Sequence, residues 1–418
     1  MQGLHLTADL YQCSGDLSIF IDEHALADLC RQHTHLSGLT IVGEKWVTFP
    51  EYQGEPGGVT GALLLAESHL AIHTWPERGG VTLDVYVCNF SDDNSAKAQQ
   101  LIDGLVEAFK PRQVQRNRLL RGDEKGPVGS GELLLEELNS HAVYGFRFNR
   151  HVLSKQTQYQ HLELLESPEL GLTMRLDGCL MTAEREEFFY HEALVHPVAI
   201  SHPAPRKALI VGGGDGGALE ELLKHPTIEQ VTLVDLDAEV IEVSRQHLQA
   251  INHGSLDNPR AKVIAGDGAE FVRSTTEKFD LVLLDLTDPE TPAGPLYTTE
   301  FFVQCKQVLA EGGAMVLHLG APFYEPEQVQ SLSAKLGEVF THVNAFGLHI
   351  PLYGSYWALA IVSDSMQPTQ VDATEVEHRL QQRNINDLQY YNAQVHGALF
   401  ALPNYYRKLL PEALVHSM

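Results

Sequence analysis

The stretch 58-GVTGALLLAESHLAIHTWPE-77 contains two apolar runs of strand length that meet at a short polar step. The first run covers 59–66, and the second covers 70–75 before Pro76 ends it. Runs of this length and composition predict two extended strands joined by a turn. The step between them, Glu67-Ser68-His69, therefore places a carboxylate, a hydroxyl and an imidazole where the two predicted strands meet.

A serine between glutamate and histidine also suits an ordinary polar turn. The surrounding residues favour a reactive site, because Thr60 and His73 flank the step and Cys88 ends the alternating run VTLDVYVC. The contiguous pattern ESHLAIHTWPE, followed by an alternating strand that ends in cysteine, resembles the bacterial and archaeal S-adenosylmethionine decarboxylases. The opening LHLTADLYQC is part of the same resemblance, which covers residues 1–120.

In that family the serine hydroxyl attacks the preceding carbonyl, the amide becomes an ester, and β-elimination then cuts the chain. The resemblance implies cleavage between Glu67 and Ser68, with Thr60 and His73 assisting, into chains 1–67 and 68–418. The implied cofactor is a pyruvoyl group derived from Ser68, which forms a Schiff base with an amino acid and accepts the electrons left by CO₂. Cys88 is expected to return a proton to the carbanion.

No metal is expected at this step or elsewhere in the chain. His69 and His73 share one face of an extended run, but no third ligand lies near them in the sequence. Zinc sites require three or four protein ligands.

The length and charge of the chain limit its class. A length of 418 residues suits two or three domains, and 44% hydrophobic with 20% charged residues is typical of a soluble globular protein. The formal charge of −26 comes from 29 basic and 55 acidic residues. This charge would repel nucleic acid and favours small cationic molecules as partners.

The cysteines and the apolar runs predict a cytoplasmic protein. The five cysteines are scattered and contain no CxxC pair, which is typical of a reducing compartment. The opening lacks a basic segment followed by an apolar core, and no apolar run approaches the ~18 residues of a membrane span. Neither a secretory signal nor membrane association is therefore expected.

Periodicity and composition predict four segments. Residues 1–120 read as a small α+β unit, for which the resemblance implies a decarboxylase-like sandwich. Residues 121–140 read as a linker in which glycine, proline and mixed charge collect. Short alternating runs predict a small β region over 141–200. Over 201–418, strands alternate with helices, which predicts a Rossmann-like, methyltransferase-type doubly wound parallel sheet with its ligands at the carboxyl ends of the strands.

The loop GGGDGG at 212–217 follows the first predicted strand of this last segment. Gly212, Gly214 and Gly217 match the dinucleotide pattern, which is weak evidence by itself. Asp215 within the loop would repel a pyrophosphate at the helix N-terminus. A carboxylate there suits a cationic ligand, such as an ammonium beside a sulfonium.

Acidic residues also end the following strands. Asp235 is placed to bind ribose hydroxyls, and Asp267-Gly268 could receive an adenine amino group, as an S-adenosyl ligand would require. The fourth strand ends in 285-DLTDP-289, where Asp288 before proline also suits a turn or helix cap. Asp285 ends an apolar strand in a cleft-forming position.

These motifs together resemble the aminopropyltransferases of the spermidine synthase family across about 141–410. The tracts 157-TQYQ-160, 184-EREEFFYHEA-193 and LQYYNAQVHGALFALPNYYR add to the resemblance. It implies that Asp285 takes a proton from an amine, which then attacks the methylene beside the sulfonium. Gln160 is expected to contact the donor. Asp215 is expected to pair with the donor's terminal ammonium and to repel a carboxylated donor.

The acceptor is expected to contact Tyr190, Asp288 and Tyr353. Putrescine is the predicted acceptor, with spermidine as the alternative. Relatives often carry glutamine and an acidic residue where this chain has His318 and Gly320, and HLGAP and DLTDP look closer to the thermospermine synthase branch. The family's glutamine after LDG is Met181 here.

The two resemblances predict a bifunctional polyamine synthase, because the first domain would make the donor that the second consumes. A homodimer is expected, since both families dimerise and the small decarboxylases share their sites across the interface. Three alternatives remain. The N-terminal domain could be a pyruvoyl-dependent ornithine or arginine decarboxylase, as the extra segment EYQGEP before Gly58 suggests, or an unprocessed binding module. The C-terminal domain could be a methyltransferase, which Asp215, Asp285 and Asp288 disfavour.

Overall fold

The computed structural model describes residues 3–51, 54, 56–89, 92–122, 131–289 and 291–411. It divides into two compact units, Met1–Gly129 and Ser130–Met418. Among the residues described, no helix is both long enough and apolar enough to cross a membrane.

Within its described residues, the first unit contains six strands and three helices. The strands are β1 (Gly3–Tyr11), β2 (Ile41–Thr48), β3 (Val59–Leu65), β4 (Ser68–Trp75), β5 (Gly80–Cys88) and β6 (Gln113–Arg121). The helices are α1 (Ser18–Ile21), α2 (Glu23–Leu36) and α3 (Ser95–Phe109). The strands form one antiparallel sheet in the order β2-β3-β4-β5-β1-β6.

Helices α2 and α3 pack on one face of this sheet, so the unit has two layers. Strand alternation decides which side chains lie under the helices. In β5, for example, Val81, Leu83, Val85 and Val87 are buried, whereas the alternate residues are half-exposed. We call the opposite side the open face; it carries His5, Thr60, Leu64, His69, His73, Thr82, Asp84, Tyr86 and Cys88.

The second unit contains a hairpin, a small sheet and a large sheet. Its strands are β7 (Glu132–Asn139), β8 (Ala142–Phe148), β9 (Arg150–Gln156), β10 (His161–Ser167), β11 (Gly171–Leu176), β12 (Cys179–Ala183), β13 (Lys207–Gly212), β14 (Gln230–Asp235), β15 (Ala261–Ala265), β16 (Phe279–Asp285), β17 (Leu309–Gly320), β18 (His342–Ile350) and β19 (Ser355–Ser363). Strands β7 and β8 form the hairpin, and β9 to β12 form the small antiparallel sheet.

The large sheet has the order β15-β14-β13-β16-β17-β19-β18. Ten helices accompany the strands of this unit: α4 (Glu187–Ser201), α5 (Gly217–Leu223), α6 (Ala238–His247), α7 (Gln249–Asn252), α8 (Gly268–Ser274), α9 (Thr299–Val308), α10 (Pro326–Val339), α11 (Ala373–Gln382), α12 (Ala393–Leu399) and α13 (Asn404–Arg407), counted within the described ranges. The order reverses at β13, which opens a crevice at the strand ends.

Two boundaries and one strand direction differ from the sequence predictions. The linker expected at 121–140 is shorter, because β7 already begins at Glu132 and pairs with β8. The small β region expected at 141–200 ends at Ala183, and α4 fills 187–201. This helix is buried on all sides and therefore lacks an amphipathic period. The large sheet is not parallel throughout, since β19 runs antiparallel to both β17 and β18.

Candidate active sites

The residue predicted to be cut, Ser68, begins β4 directly after a two-residue turn. Leu65 pairs with Ser68 across that turn, so Ala66 and Glu67 form the tip of a hairpin. The φ angle of Ser68 is 155°, a value that residues with a side chain rarely adopt. Backbone strain is therefore located at the predicted cleavage point.

Glu67 and Ser68 have defined partners in the first unit. The carbonyl oxygen of Glu67 accepts a hydrogen bond of 2.8 Å from the backbone N–H of Cys88. The hydroxyl of Ser68 lies 3.2 Å from Nδ1 of His69. Cys88, which is predicted to return a proton to the carbanion, ends β5 beside this turn.

Thr60 and His73 lie together at the other end of the same strand pair. Thr60 Oγ1 is 3.0 Å from His73 Nδ1, and both residues line a groove of about 420 Å³. The Phe49-Pro50 turn and Trp75 line it as well. Within the extra segment 51–56, residues 52, 53 and 55 lie outside the described residues.

The structure does not bring Ser68 and His73 together within one chain. Four residues of extended strand lie between them, and five steps of ~3.3 Å give a distance of about 16 Å. Neither Ser68 nor Cys88 lines the groove that contains Thr60 and His73. The processing residues predicted from the sequence therefore occupy the two ends of one strand pair.

The second unit has a cavity of about 260 Å³ at the carboxyl ends of β13, β14 and β16. It is lined by most residues predicted to bind the donor or to act on it: Gln160, Tyr190, Gly212, Gly214, Asp215, Asp235, Asp267, Gly268, Asp285 and Tyr353. Gly217 lies just outside, at the start of α5, where a side chain would come within 2.2 Å of the His191 ring. The predicted Asp288 lines an adjoining recess.

The glycine loop brings two strand ends close together. Gly212 has a φ of 83°, and a Cβ there would lie 2.0 Å from the carbonyl oxygen of Asp285. Gly213 N–H donates to that same oxygen at 2.9 Å. Gly214 N–H donates to Oδ2 of Asp235 at 2.9 Å, which fixes the carboxylate at the end of β14. Only glycine allows this approach at position 212.

Asp215 is a largely enclosed carboxylate whose side chain is 15% exposed. Its Oδ1 accepts from Gly217 N–H at 2.9 Å, and its Oδ2 lies 3.4 Å from Nε2 of His191. The other ring nitrogen of His191 lies 2.7 Å from Glu187. Burial raises the pKa of Asp215, but His191 and the hydrogen bonds outweigh it and hold that pKa below its usual value. Asp215 is therefore charged and suits a cationic ligand.

His191, Asp215 and Asp285 also offer ligand atoms within 4.8 Å of one another, as a metal site would. Burial lowers the pKa of His191, but Asp215 and Glu187 outweigh it and hold the pKa well above its usual value. His191 is therefore ion-paired with both Asp215 and Glu187.

Two further carboxylates have raised pKa values in this cavity. Burial raises the pKa of Asp285 to about 7, with Asp215 adding to the rise and His191 opposing it. Burial raises the pKa of Asp235 to about 6, against hydrogen bonds from the N–H groups of Asp237 and Gly214. A carboxyl group that titrates near neutrality is a suitable general base for an amine.

The residues predicted at the outer part of the cavity also have structural contacts. Oδ1 of Asp267 accepts from the N–H groups of Ala269 and Glu270 and so caps α8. Gln160 Nε2 donates to Oδ2 of Asp237 at 3.2 Å. These bonds orient the side chains that line the cavity.

The adjoining recess has a volume of about 80 Å³ and is rich in carboxylates and aromatic rings. Asp288, Tyr190 and Tyr353, all predicted from the sequence, line it. Tyr190 and Tyr353 pack edge to face with ring centroids 5.8 Å apart. Carboxylates and aromatic faces together are typical of a binding site for ammonium groups.

Sequence reasoning missed several lining residues, among them Glu136, Tyr144, Glu325 and Trp357. Glu136 comes from β7, inside the segment assigned to the linker, and accepts from Leu180 N–H at 2.6 Å and Tyr144 O–H at 2.7 Å. Strand alternation in ELLLEELN was the only available signal. Nothing in the sequence marks Glu325.

Glu325 approaches the place where a side chain at position 320 would project. A Cβ on Gly320 would lie 3.0 Å from Glu325 Oε2. A carboxylate from another element therefore lies beside Gly320. His318 is neutral, because burial lowers its pKa to about 4, and its Nε2 lies 2.9 Å from the carbonyl oxygen of Leu286.

Two family models match consecutive parts of the chain. Residues 4–122 match the S-adenosylmethionine decarboxylase family. Residues 187–375 match the spermine/spermidine synthase domain. The first match coincides with the six-stranded unit, and the second contains the glycine loop and the strand ends that line the cavity of about 260 Å³.

Curated relatives match the second part. A polyamine aminopropyltransferase of Nitrosomonas europaea is 40% identical over 281 residues, which are 67% of this chain and 86% of that protein. A polyamine aminopropyltransferase of Serratia proteamaculans is 38% identical over 275 residues, covering 66% of this chain and 96% of that protein.

Solved structures agree with these matches. A spermidine synthase in complex with the transition state analogue AdoDATO is 34% identical, with a TM-score of 0.63, over 67% of this chain and 94% of that one. A spermidine synthase from Thermotoga maritima is 32% identical, with a TM-score of 0.61, over 66% of this chain and 94% of that one. The chain therefore belongs to the polyamine aminopropyltransferase family, and an S-adenosylmethionine decarboxylase domain is fused to the N-terminal side of its transferase domain.

Proposed function

We propose that this chain decarboxylates S-adenosylmethionine in its first unit and transfers the aminopropyl group of the product to a polyamine acceptor in its second. The observation that supports this most strongly is the pairing of the two families on one chain, because the product of one reaction is the donor of the other. The five cysteines are free, which suits the cytoplasm as the site of both reactions.

The first unit supplies its own cofactor in this proposal. Self-cleavage between Glu67 and Ser68 would leave a pyruvoyl group at residue 68, which forms a Schiff base with the substrate amine and accepts the electrons released with CO₂. The groove beside Thr60 and His73 would bind substrate, with the Phe49-Pro50 turn against the adenosyl group. Cys88 would return the proton.

The first unit would act as a dimer through its open face. The separation of Ser68 from His73 within one chain supports this, since a second copy would place its own Thr60 and His73 beside Ser68. Leu64 is 55% exposed and Trp75 is 40% exposed on that face, so apolar surface is available for association.

In the second unit, Asp285 would take the proton of the attacking amine. A Lys-like ammonium has a pKa of about 10, so it requires a base at neutral pH. Burial raises the pKa of Asp285 to about 7, which makes its carboxylate a stronger base. Asp215 would pair with the donor's terminal ammonium. The leaving nucleoside is neutral, and no general acid is required.

The acceptor in this proposal is putrescine, with spermidine as the alternative. The recess beside Asp288 is narrow, at about 80 Å³, which favours a short, unbranched diamine. Glu136 and Glu325 line the recess with Asp288 and would attract the amine's second positive charge.

Product analysis tests the proposal. Purified protein incubated with S-adenosylmethionine and putrescine should release CO₂, methylthioadenosine and spermidine. Release of CO₂ from ornithine or arginine instead would replace the substrate assigned to the first unit. Consumption of decarboxylated S-adenosylmethionine with spermidine, and none with putrescine, would replace the acceptor. Absence of methylthioadenosine under all conditions would reject the transferase assignment.

A further inference from the structure

A chain of contacts begins at the Ser68 hydroxyl and runs across the open face of the first unit. Ser68 Oγ lies 3.2 Å from His69 Nδ1, and His69 Nε2 lies 3.3 Å from Asp84 Oδ1. The other oxygen of Asp84 lies 2.7 Å from Nε2 of His5. Neighbouring strand residues normally point to opposite faces. The unusual φ of 155° at Ser68 breaks that alternation and brings its hydroxyl to the side of His69.

The charge of Asp84 favours one nitrogen of His69 as the site of its proton. Asp84 Oδ1 faces Nε2 at 3.3 Å without a hydrogen bond, and its negative charge favours the tautomer that has its proton on Nε2 and presents the lone pair of Nδ1 to Ser68. His5 holds the second oxygen of the carboxylate. The ring of Tyr86 packs against both imidazoles, with centroids 5.7 Å from His5 and 5.9 Å from His69. The order hydroxyl, imidazole, carboxylate is the one that activates serine nucleophiles.

Hydrogen bonds also fix the Glu67 carbonyl group that Ser68 must attack. The N–H of Cys88 donates to the oxygen of Glu67 at 2.8 Å, where negative charge would develop during attack. Thr40 holds the turn from the other side, because its N–H donates to Oε2 of Glu67 at 3.2 Å and its carbonyl accepts from Ala66 at 2.8 Å. The Glu67 carbonyl is therefore held in place.

We propose that His69 is the general base for the first step of self-cleavage, with Asp84 and His5 as positioning residues; this rests on the proposed self-processing function. His69 Nδ1 takes the hydroxyl proton as Ser68 Oγ bonds to the Glu67 carbonyl carbon. The bond from that carbon to the Ser68 nitrogen then breaks, and His69 returns the proton to this nitrogen. The product is an ester with a free amine, and no other reactant is required.

His73 is left for the later step on this assignment. It lies about 16 Å along the strand from Ser68 in the same chain. In a dimer, the partner's copy of the Thr60 and His73 pair would be available for β-elimination, which needs a base at the Cα of Ser68. The two histidines of the ESHLAIH motif would thus act in successive steps and in different copies of the chain.

Hydroxylamine distinguishes the two steps, because it cleaves an ester but not an amide. Full-length His69→Gln and His73→Ala proteins are purified, incubated with and without hydroxylamine, and followed by intact mass. We expect processing of His69→Gln to be roughly 100-fold slower than that of wild type. Over the time in which wild type is fully processed, His69→Gln should therefore remain one uncut chain under both conditions. We expect His73→Ala to be cut at 67/68 only when hydroxylamine is present. Hydroxylamine-dependent cutting of His69→Gln, or its processing at the wild-type rate, would overturn the inference.

Controls separate this role from a structural one. His35→Gln changes an exposed histidine on α2 and should process normally. Aminopropyl transfer by the same chains and their near-UV circular dichroism report folding. Should His69→Gln misfold, Asp84→Asn decides the question. Asp84→Asn should process slowly and should not accumulate the ester that hydroxylamine detects. Asp84→Glu should recover part of the rate. Equal rates for Asp84→Asn and wild type would contradict the proposal. A wild-type chain that is never cut would instead reject the proposed decarboxylase function.

Discussion

At the scale of single residues, the second unit shows how burial prepares a base. Asp285 lies within a group of carboxylates, and burial is the main reason for its raised pKa. The same cavity keeps Asp215 ionised, because His191 lies beside it. Two carboxylates in one cavity therefore have different protonation behaviour, which suits one for a proton transfer and the other for a permanent ion pair.

This difference predicts the pH dependence of the transferase. The base form of Asp285 is the carboxylate, which is populated above a pKa of about 7. We therefore expect kcat for aminopropyl transfer to rise with pH and to level off above that value, falling about tenfold per pH unit below it. Asp285→Asn should lower kcat by roughly 10²–10⁴-fold and abolish this pH dependence. Exposed Asp387→Asn serves as the matched control and should keep both. A full pH dependence in Asp285→Asn would exclude Asp285 as the base.

A second residue-scale prediction concerns the glycine loop. Gly212 and Gly254 both have positive φ, of 83° and 77°, but only Gly212 faces a neighbouring atom, the carbonyl oxygen of Asp285. Gly254→Ala should lower the free energy of unfolding by about 1 kcal/mol through backbone strain alone. Gly212→Ala should cost roughly 1–3 kcal/mol more, because the added methyl must displace the end of β16. Thermal denaturation of the two variants measures the difference. Equal losses of unfolding free energy would show that the Asp285 carbonyl oxygen does not restrict a side chain at position 212.

At the scale of elements, the six-stranded sheet carries its reactive groups on the face without helices. Alternation in β4 and β5 buries one set of side chains under α2 and α3 and leaves His69, His73, Asp84 and Cys88 on the other side. The sheet thus separates a stabilising core from a chemically active surface. That surface also carries exposed apolar side chains.

The proposed association through the open face can be tested by introducing one charged side chain there. Leu64→Glu places a carboxylate on the proposed contact surface, where desolvation would oppose association. We expect self-cleavage and CO₂ release to fall by roughly 100-fold, because the partner's groups would no longer be aligned. Aminopropyl transfer from supplied decarboxylated S-adenosylmethionine should remain at the wild-type rate. Leu36→Glu, at a position that is 63% exposed on α2, is the matched control and should process normally. Normal processing by Leu64→Glu would contradict a site shared across this face.

At the scale of the whole molecule, the two units present separate chemistry on one chain. We expect Ser68→Ala to lose CO₂ release but to keep transfer from a supplied donor, and Asp285→Asn to show the reverse. A mixture of the two purified variants should form spermidine from S-adenosylmethionine and putrescine after a lag, because the intermediate is a small molecule that can diffuse between proteins. Chromatographic assay of spermidine checks this. A mixture that stays inactive, with each partial activity intact, would show that the intermediate does not leave the chain that makes it.

The charge of the whole chain also predicts a salt effect. A formal charge of −26 attracts cationic amines, and salt screens such attraction beyond about 8 Å at physiological ionic strength. The KM for putrescine should therefore rise a few-fold as salt increases, with kcat little changed. Inhibition by the neutral product methylthioadenosine, measured over the same range, should not change. A KM that is independent of salt would indicate that only short-range contacts attract the acceptor.

Local patterns in the sequence were enough to identify both families and the fold of each unit. Two local patterns identified them: the contiguous ESHLAIHTWPE pattern and the GGGDGG loop between a strand and a helix. Each consists of neighbouring residues only, so it can be recognised without knowledge of tertiary contacts. Apolar runs likewise predicted β3 and β4, and alternation predicted β5. The helix α4 and the strand β7 were not placed correctly, since one is buried on all sides and the other follows a glycine-rich segment.

Only the tertiary structure decided which reactive groups meet. It placed Glu136 and Glu325 beside Asp288, and it joined His5 and Asp84 to His69, although 79 residues separate the first two in the chain. It also separated Ser68 from His73, which a reading of the motif alone had grouped. Pairing of strands in a sheet places residues that are distant in the sequence beside each other. An extended strand separates residues that are only a few positions apart. Neither effect can be read from proximity in the sequence.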